Sequence, residues 1–214
     1  MDGMSKPDKP KKAPAALLAE AKARFQLCAD AEREIRAAAL EDFMFRAGDQ
    51  WPEEIRQSRR NDQRPCLTVN RLPQFVRQVT NEMRQSRPGI VISPVDSGSD
   101  VETAEVIQGI IRDIESVSNA DVAYDTAGEH AAIGGIGYIR VCTEWEDGDT
   151  FEQAIRIRRV KNWASVYYDP NCQEPDYSDG KFCFVACDMT HEDFKAQWPK
   201  SEVAGWDVAQ GIGD

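Results

Sequence analysis

The residues that most resemble a binding motif are three glycines within four positions, Gly134, Gly135 and Gly137. A glycine-rich turn cradles phosphate when it follows a strand and opens a helix, because the helix N-terminus then faces the anion. Here an alanine-rich stretch precedes the glycines, a β-branched stretch follows them, and no Gly-Lys-Ser/Thr occurs. The order therefore favours a helix C-cap and close packing where a strand begins. A nucleotide-binding loop at 134–137 is the alternative.

The chain has two histidines, and neither has partners that predict catalysis. His130 lies next to Glu129, but a general base also needs a nucleophile or substrate within hydrogen-bond reach, and the sequence indicates none. His191, Glu192 and Asp193 are consecutive, so on a helix they point in different directions and do not converge on a metal. Acidic residues in the first turn of a helix explain the last two better. We predict no catalytic residue, no metal site and no cofactor.

The cysteines have no metal-binding spacing. There are six, none in a CxxC pair: Cys28, Cys66, Cys142, Cys172, Cys183 and Cys187. With so few histidines, a zinc site is not indicated, and free thiols in a reducing compartment are expected. Cys183 and Cys187 lie four residues apart, which leaves a ligand or disulfide role as a minor alternative.

An arginine-rich segment stands out because the chain as a whole is acidic. Lys and Arg number 26 and Asp and Glu number 37, so the formal charge is −11. That balance argues against a dedicated DNA-binding module, although an acidic surface beside DNA would keep it mobile. The segment could be a solvated face, a set of ion pairs to an acidic neighbouring subunit, or a nucleic-acid contact. The candidate interface residues or structural anchors are Trp51, Arg56, Arg59, Arg60, Arg64, Arg71, Arg84 and Arg87.

The longest element that positions these residues is a helix predicted over 14–47, ended by Gly48. One apolar stripe runs along it at steps of three, four or seven: Leu17, Ala21, Phe25, Cys28, Ile35, Ala39 and Phe43. About 34 residues make about 50 Å at 1.5 Å per residue, which favours packing beyond its own domain, on a neighbouring subunit. Residues 1–13, rich in Lys, Pro and Asp, are predicted to be a disordered tail.

Beyond Gly48 we predict an α+β fold over 49–199, in which amphipathic helices pack on a small, mostly antiparallel sheet. The predicted helices cover 52–61, 71–86, 100–118 and 120–133, with a short helix capped by Thr190. The predicted strands cover 90–95, 138–144, 151–160 and 182–187, with extended pieces at 66–69 and 162–168. Residues 200–214 are expected to be the flexible end of a truncated chain. The apolar runs are too short to span a membrane.

Two of these helices have marked apolar patterns. Helix 71–86, which Asn70 should cap, has a stripe of Leu72, Phe75, Val76, Val79 and Met83. Helix 100–118 has an apolar face that Val106, Ile110 and Val117 widen, so we expect it to be well buried. Trp51 before Pro52 indicates an anchored turn. If Trp51 is fully buried, its replacement by Ala should cost about 3 kcal/mol.

Several segments, taken in order, resemble the portal proteins of short-tailed phages of the Salmonella-phage type. The segments are Phe45-Arg46-Ala47-Gly48-Asp49-Gln50-Trp51-Pro52, Arg64-Pro65-Cys66-Leu67-Thr68-Val69-Asn70-Arg71-Leu72, Asn81-Glu82-Met83-Arg84 with Arg87-Pro88, Glu102-Thr103-Ala104-Glu105-Val106, Ala132-Ile133-Gly134-Gly135-Ile136-Gly137, and Asp169-Pro170 with Ser178-Asp179. The combination of Gly-Asp-Gln-Trp with Arg-Pro-x-Leu-Thr-x-Asn is more specific than any one piece. The resemblance covers about 40 to 195.

The resemblance implies a structural subunit of a ring of twelve at one vertex of the capsid, with this chain holding wing-type sequence. Such a ring seats the packaging motor, passes double-stranded DNA without sequence preference, and holds the tail. The implied partners are copies of the chain, capsid and scaffolding proteins, the terminase large subunit and a tail adaptor protein, with no membrane. The implied location is the virion, after assembly in the host cytoplasm. A nucleotide-dependent enzyme using 134–137 and a small regulatory binding module are the alternatives.

Overall fold

A computed structural model of the chain describes residues 14–86, 89–94, 100–147, 149–174, 176–199 and 201. The described elements are α1 (Pro14–Ala47), α2 (Glu53–Asn61), α3 (Leu72–Gln85), α4 (Val101–Ser118), α5 (Ala120–Gly134), β1 (Ile139–Trp145), β2 (Gln153–Arg159), a 3₁₀ turn (Trp163–Ser165), β3 (Val166–Tyr168), β4 (Cys183–Val185) and α6 (His191–Gln197). Strands β1 and β2 pair antiparallel, as do β3 and β4. The fold is therefore α+β, as predicted. No described helix has the length and apolar character that a membrane span requires.

The chain divides into two compact units, and α1 contributes residues to both. One unit is Ile35–Trp163, and the other combines the chain up to Glu34 with the chain from Ala164 onward. The domain boundaries given above stay a prediction. The predicted tail at 1–13 lies outside the described residues, as does the predicted flexible end at 200–214 apart from Ser201.

In the unit formed by both ends of the described chain, the first half of α1 packs its aromatic side on β3 and β4. The Phe25 ring lies 4.7 Å from the Tyr167 ring and meets the Phe184 ring edge-on at 5.7 Å. Cys28, one turn further along α1, is fully buried, and so is Tyr167. The Glu32 carboxylate accepts a hydrogen bond of 3.3 Å from the Tyr168 amide. Phe25 and Cys28 of the apolar stripe predicted for α1 therefore pack here, whereas Leu17 and Ile35 of that stripe are exposed.

A buried carboxylate organises the loop after β3. Asp169 is 3% exposed, and its Oδ1 accepts hydrogen bonds from the amide and the side chain of Asn171 at 3.0 and 2.8 Å. Its Oδ2 accepts from the Lys181 amide at 3.4 Å. The Asn171 amide is the main reason that the pKa of Asp169 lies below its ordinary value, against burial, which raises it. The loop therefore depends on this carboxylate being ionised.

In the unit Ile35–Trp163, α5 is the central element and packs on α3, α4, β1 and β2. Ala120 and Ala123 are buried in its first turn, Gly128 is buried further along, and Ile157 of β2 completes the cluster. Small residues on α5 allow the neighbouring backbones to approach closely. A Cβ on Gly128 would lie 2.8 Å from the methyl carbon of Met83 on α3.

The β1–β2 hairpin packs on α4 and α5 mainly through β2, whose Ile157 is buried, whereas Val141 of β1 is exposed. Val141 pairs with Ile157 in the register, and the Ile157 amide donates a 3.0 Å hydrogen bond to the Ser118 hydroxyl at the end of α4. On the other face, Arg158 Nε donates to Glu144 at 2.8 Å. This guanidinium lowers the pKa of Glu144 to about 2. The pair is exposed, so its effect on stability is small.

Two predicted extended segments are not strands. Residues 89–94 contain no regular secondary structure, which corrects the strand predicted at 90–95, and Val95 itself lies outside the described residues. β-Branched residues favour a strand only when another strand accepts the hydrogen bonds and the side chains are covered, whereas Val91 is exposed. Residues 66–69 are likewise unpaired. The N-cap of α3 is Arg71, although the predicted Asn70 contributes by accepting from the Leu72 amide at 3.2 Å.

The apolar faces of α4 and α3 are largely exposed, which corrects the burial expected for α4. On α4, Ala104 is buried, but Val106, Ile110 and Val117 are 62%, 53% and 57% exposed. The predicted stripe of α3 is also open, because Phe75, Val79 and Met83 are exposed and Thr80 is the buried residue of that helix. Periodicity identifies an apolar helix face, but the rest of the described chain does not cover these two.

Candidate functional site

The arginine-rich connector, residues 49–71, is fixed to the end of α1 by polar contacts. Gly48 ends α1 with φ of 111°, a conformation suited to glycine. The Asn70 side chain donates a 2.7 Å hydrogen bond to the Arg46 carbonyl and accepts one of 3.2 Å from Gln50. Both ends of the connector are therefore held at the same place, and α2 lies between them.

Trp51 is the aromatic anchor of the connector. Its Nε1 donates to the Thr68 hydroxyl at 3.1 Å, and the Arg59 guanidinium lies over the ring, 4.9 Å from its centre. Arg59 also donates to the Pro65 carbonyl at 2.9 Å. The ring is half-buried, so the predicted anchored turn is present while full burial of Trp51 is not.

Arg56 holds the turn that precedes α2. Its guanidinium is ion-paired with Asp49, lies 3.5 Å from Glu53, and donates to the Trp51 carbonyl at 3.1 Å. Contacts with two acids and a carbonyl use most of the donors of one guanidinium. Arg56 and Arg59 therefore contact the connector itself.

The remaining candidate arginines differ in their surroundings. Arg84 on α3 is bound to Asp125 on α5 at 2.9 Å. Arg60, Arg64 and Arg71 are exposed, and none has an ion pair with another residue in the described ranges. Arg87 lies outside those ranges. The structure thus separates the predicted set into residues that hold the fold and three exposed cations along the connector.

The glycine turn is filled by packing. A Cβ on Gly134 would lie 2.6 Å from the Phe43 ring, and one on Gly137 would overlap the Ala127 carbonyl of α5. Gly135 caps α5 with φ of 83°, and its amide donates to Ala131. The predicted C-cap and close packing at a strand start are confirmed. In this arrangement β1 follows the turn, so no helix N-terminus faces a bound phosphate there.

His130 packs against the same turn. Its ring meets Phe43 edge-on at 5.7 Å, and Phe43 stacks on Trp163 at 5.4 Å. Burial lowers the pKa of His130, and the Glu129 carboxylate partly opposes this. No hydroxyl, thiol or carboxylate in the described part of the chain hydrogen-bonds its buried Nδ1. The predicted packed histidine fits this geometry better than a general base does.

The remaining candidate residues are the consecutive His191, Glu192 and Asp193 and the six cysteines. Thr190 caps α6 as predicted, by accepting from the Asp193 amide at 3.2 Å, and Glu192 and Asp193 lie in the first turn of that helix. None of the six cysteines, all of which lie in the described ranges, forms a disulfide bond. Across the described ranges, no three His, Cys, Asp or Glu residues converge to hold a metal ion.

Two surfaces were not predicted from the sequence. The first is an open apolar cavity of about 430 Å³, lined by Thr80, Met83, Ile90, Glu115, Tyr124, Asp125, Gly128 and Ile139. Its polar groups are engaged, since the Tyr124 hydroxyl donates to Glu115 at 2.9 Å and Asp125 binds Arg84. No sequence motif predicts this cavity, because its lining residues come from five separate segments of the chain.

The second surface is the exposed apolar side of α4. A signal for it was present, because apolar residues lie on more than one side of this helix. A helix that is apolar on two sides needs a covering surface on each. The described chain supplies one, through α5 and β2.

The chain resembles known proteins over most of its length. A model of the phage P22-like portal protein family matches residues 22–212. A portal protein of Acyrthosiphon pisum secondary endosymbiont phage 1 is 24% identical over 140 residues, which are 64% of this chain and 19% of that protein. The match thus spans about a fifth of the relative's length. Since the family model covers far more than half of the sequence and the described fold is the predicted α+β arrangement, the chain belongs to the phage P22-like portal protein family.

Proposed function

We propose that this chain is a wing-type segment of a ring of twelve portal subunits, the channel at the capsid vertex through which DNA is packaged and ejected. The family match over 22–212 is the observation that carries the proposal. The role is structural: the chain supplies surfaces that hold copies together around a passage, and it performs no bond chemistry.

The surface of the described chain supports an assembled state. Large apolar side chains on α1, α3 and α4 are exposed, among them Ile35, Phe75 and Ile110. The buried hydrophobic residues are mostly small, and Tyr167 is the largest of them. Contiguous apolar faces left open on a monomer mark interaction sites. A ring subunit, with a neighbour on each side, would cover such faces.

The partners follow from the same proposal. The chain contacts copies of itself, and the ring meets capsid and scaffolding proteins, the terminase large subunit and a tail adaptor protein. Double-stranded DNA passes without being gripped, since a net charge of −11 repels the phosphate backbone. The ring belongs to the virion and is assembled in the host cytoplasm.

Electron microscopy of the concentrated chain tests the proposal. We expect closed rings in class averages, and a titration with Mg²⁺-ATP that gives no binding signal. Particles without rotational symmetry at every concentration would contradict ring formation. Saturable ATP binding that a Gly135→Val substitution abolishes would favour the enzyme alternative.

A further inference from the structure

The exposed stripe of α4 is an apolar surface with an acidic border. Val106, Ile110, Asp113 and Val117 follow one another at steps of four, three and four, which places them on one side of the helix. A Cβ on the adjacent Gly109 would have no heavy atom within 4 Å. The side of α4 that holds this stripe is therefore open in the described chain.

Three carboxylates lie on this side of α4: Asp113 within the stripe, and Glu102 and Glu105 beside it. All three are exposed, and none has an ion pair among the residues that the structure describes. Glu115, by contrast, is bound to Tyr124 on the inner side of α4. The exposed part of the helix thus combines apolar contact area with a net negative charge, since Arg112 is its one cation against these three carboxylates.

The connector has the complementary composition. Arg60, Arg64 and Arg71 are exposed cations, and between the last two lie Leu67 and Val69, which are 78% and 79% exposed. This stretch is not paired with any described strand. It offers apolar side chains flanked by arginines, where α4 offers apolar side chains flanked by acids.

The two surfaces belong to different elements of one unit and have separate packing partners. Helix α4 packs on α5 and β2, whereas the connector is held by the end of α1 through Asn70 and by Trp51. Two different complementary patches on one chain produce a head-to-tail contact, which is the type of contact that closes into a ring. A second copy is therefore the occupant that the charges favour.

We propose that the α4 stripe of one copy docks on the connector of the next copy, with Glu102, Glu105 and Asp113 facing Arg60, Arg64 and Arg71. This inference rests on the proposed ring function and names the surfaces that form its contact. Charge complementarity sets the register, and the valines and isoleucine of α4 cover Leu67 and Val69.

Paired charge reversals test the contact. Asp113→Arg alone and Arg64→Asp alone should each weaken self-association by at least about tenfold, because each sets like charges against each other. An equimolar mixture of the two variants should associate like the unchanged chain, since every contact in an alternating assembly is again attractive. Sedimentation velocity measures both effects.

Two further variants separate the contact from general effects. Asp188→Arg changes the net charge by the same amount at an exposed site outside both surfaces, and it should leave association unchanged. Ile110→Gln should weaken association without altering the melting temperature, since the side chain has little to lose in the single copy.

The outcomes distinguish this inference from the proposed function. Rings that form normally in both single variants would overturn the contact and leave the portal function standing. A chain that stays monomeric at every concentration would overturn both. Loss of DNA retention in Arg64→Asp, with association intact, would assign the connector to nucleic acid and also overturn the contact. Weakening in Asp113→Arg that the mixture does not rescue would indicate α4 against α4 in a symmetric pair.

Discussion

Trp51 shows how one side chain stabilises the connector. Its indole N–H donates a hydrogen bond to the Thr68 hydroxyl, and the Arg59 guanidinium lies over its ring. Replacing it with Ala removes both contacts and a half-buried ring, so we expect a loss of about 2 kcal/mol in the free energy of unfolding, below the range for a fully buried Trp. Urea denaturation measures this.

Trp145→Ala is the matched control, because Trp145 is 60% exposed. We expect it to cost no more than about 0.5 kcal/mol. Equal losses for the two substitutions would show that Trp51 is not an anchor.

Gly137 tests the structural interpretation of the glycine turn. A Cβ there would overlap the Ala127 carbonyl, and backbone cannot move aside as a flexible side chain can. Gly137→Ala should therefore cost about 3 kcal/mol. Gly109→Ala, in open space on α4, should raise stability by about 0.5 to 1 kcal/mol through helix propensity. Thermal melting of the two variants compares them, and a neutral Gly137→Ala would refute the packing role.

Asp169 predicts the direction of the pH dependence. Its pKa in the folded chain lies below its ordinary value, because the Asn171 and Lys181 amides bind the ionised form. The stabilisation is thus present above the ordinary pKa and is lost as the pH falls through the folded pKa. The urea concentration at the unfolding midpoint should decrease as the pH is lowered from 6 to 3, and it should decrease less in Asp169→Asn. An equal decrease in Asp169→Asn and in the unchanged chain would contradict this role of the Asp169 carboxylate.

At the scale of elements, local signals were sufficient for the helices. Pro14 and Gly48 bound α1, Asp100 caps α4 by accepting from the Glu102 amide at 3.0 Å, and Gly135 caps α5. Each of these depends on residues within a turn of the boundary. Helix limits could therefore be predicted to within a residue or two from the sequence.

Burial and strand pairing could not be predicted in the same way. The apolar residues of α4 indicate a helix with two contact faces, but they do not say whether the second partner belongs to the same chain. The β-branched run at 90–94 has strand propensity, yet no described strand pairs with it. Both failures concern contacts with distant or separate surfaces, which a local pattern does not contain.

The candidate site was predicted in part for the same reason. The arginine-rich segment could be recognised in the sequence because its charge differs from that of the acidic chain as a whole. The division between Arg56 and Arg59, which bind the connector, and Arg60, Arg64 and Arg71, which face outward, depends on Trp51, Asp49 and Pro65. The cavity beside Tyr124 combines residues from five segments and has no sequence signal.

At the scale of the whole molecule, charge governs the relation to DNA. With a formal charge of −11, the chain should show no retention on double-stranded DNA at about 150 mM salt. A fluorescence anisotropy titration with a DNA duplex checks this. Salt-sensitive micromolar binding would show that the connector arginines outweigh the acidic remainder.

The central claim is that this chain works by binding copies of itself. Native mass spectrometry over a hundredfold range of concentration tests it most directly. We expect assemblies of two or more chains whose share rises with concentration and whose largest member is a closed ring. A single species with the mass of one chain at every concentration would contradict the account.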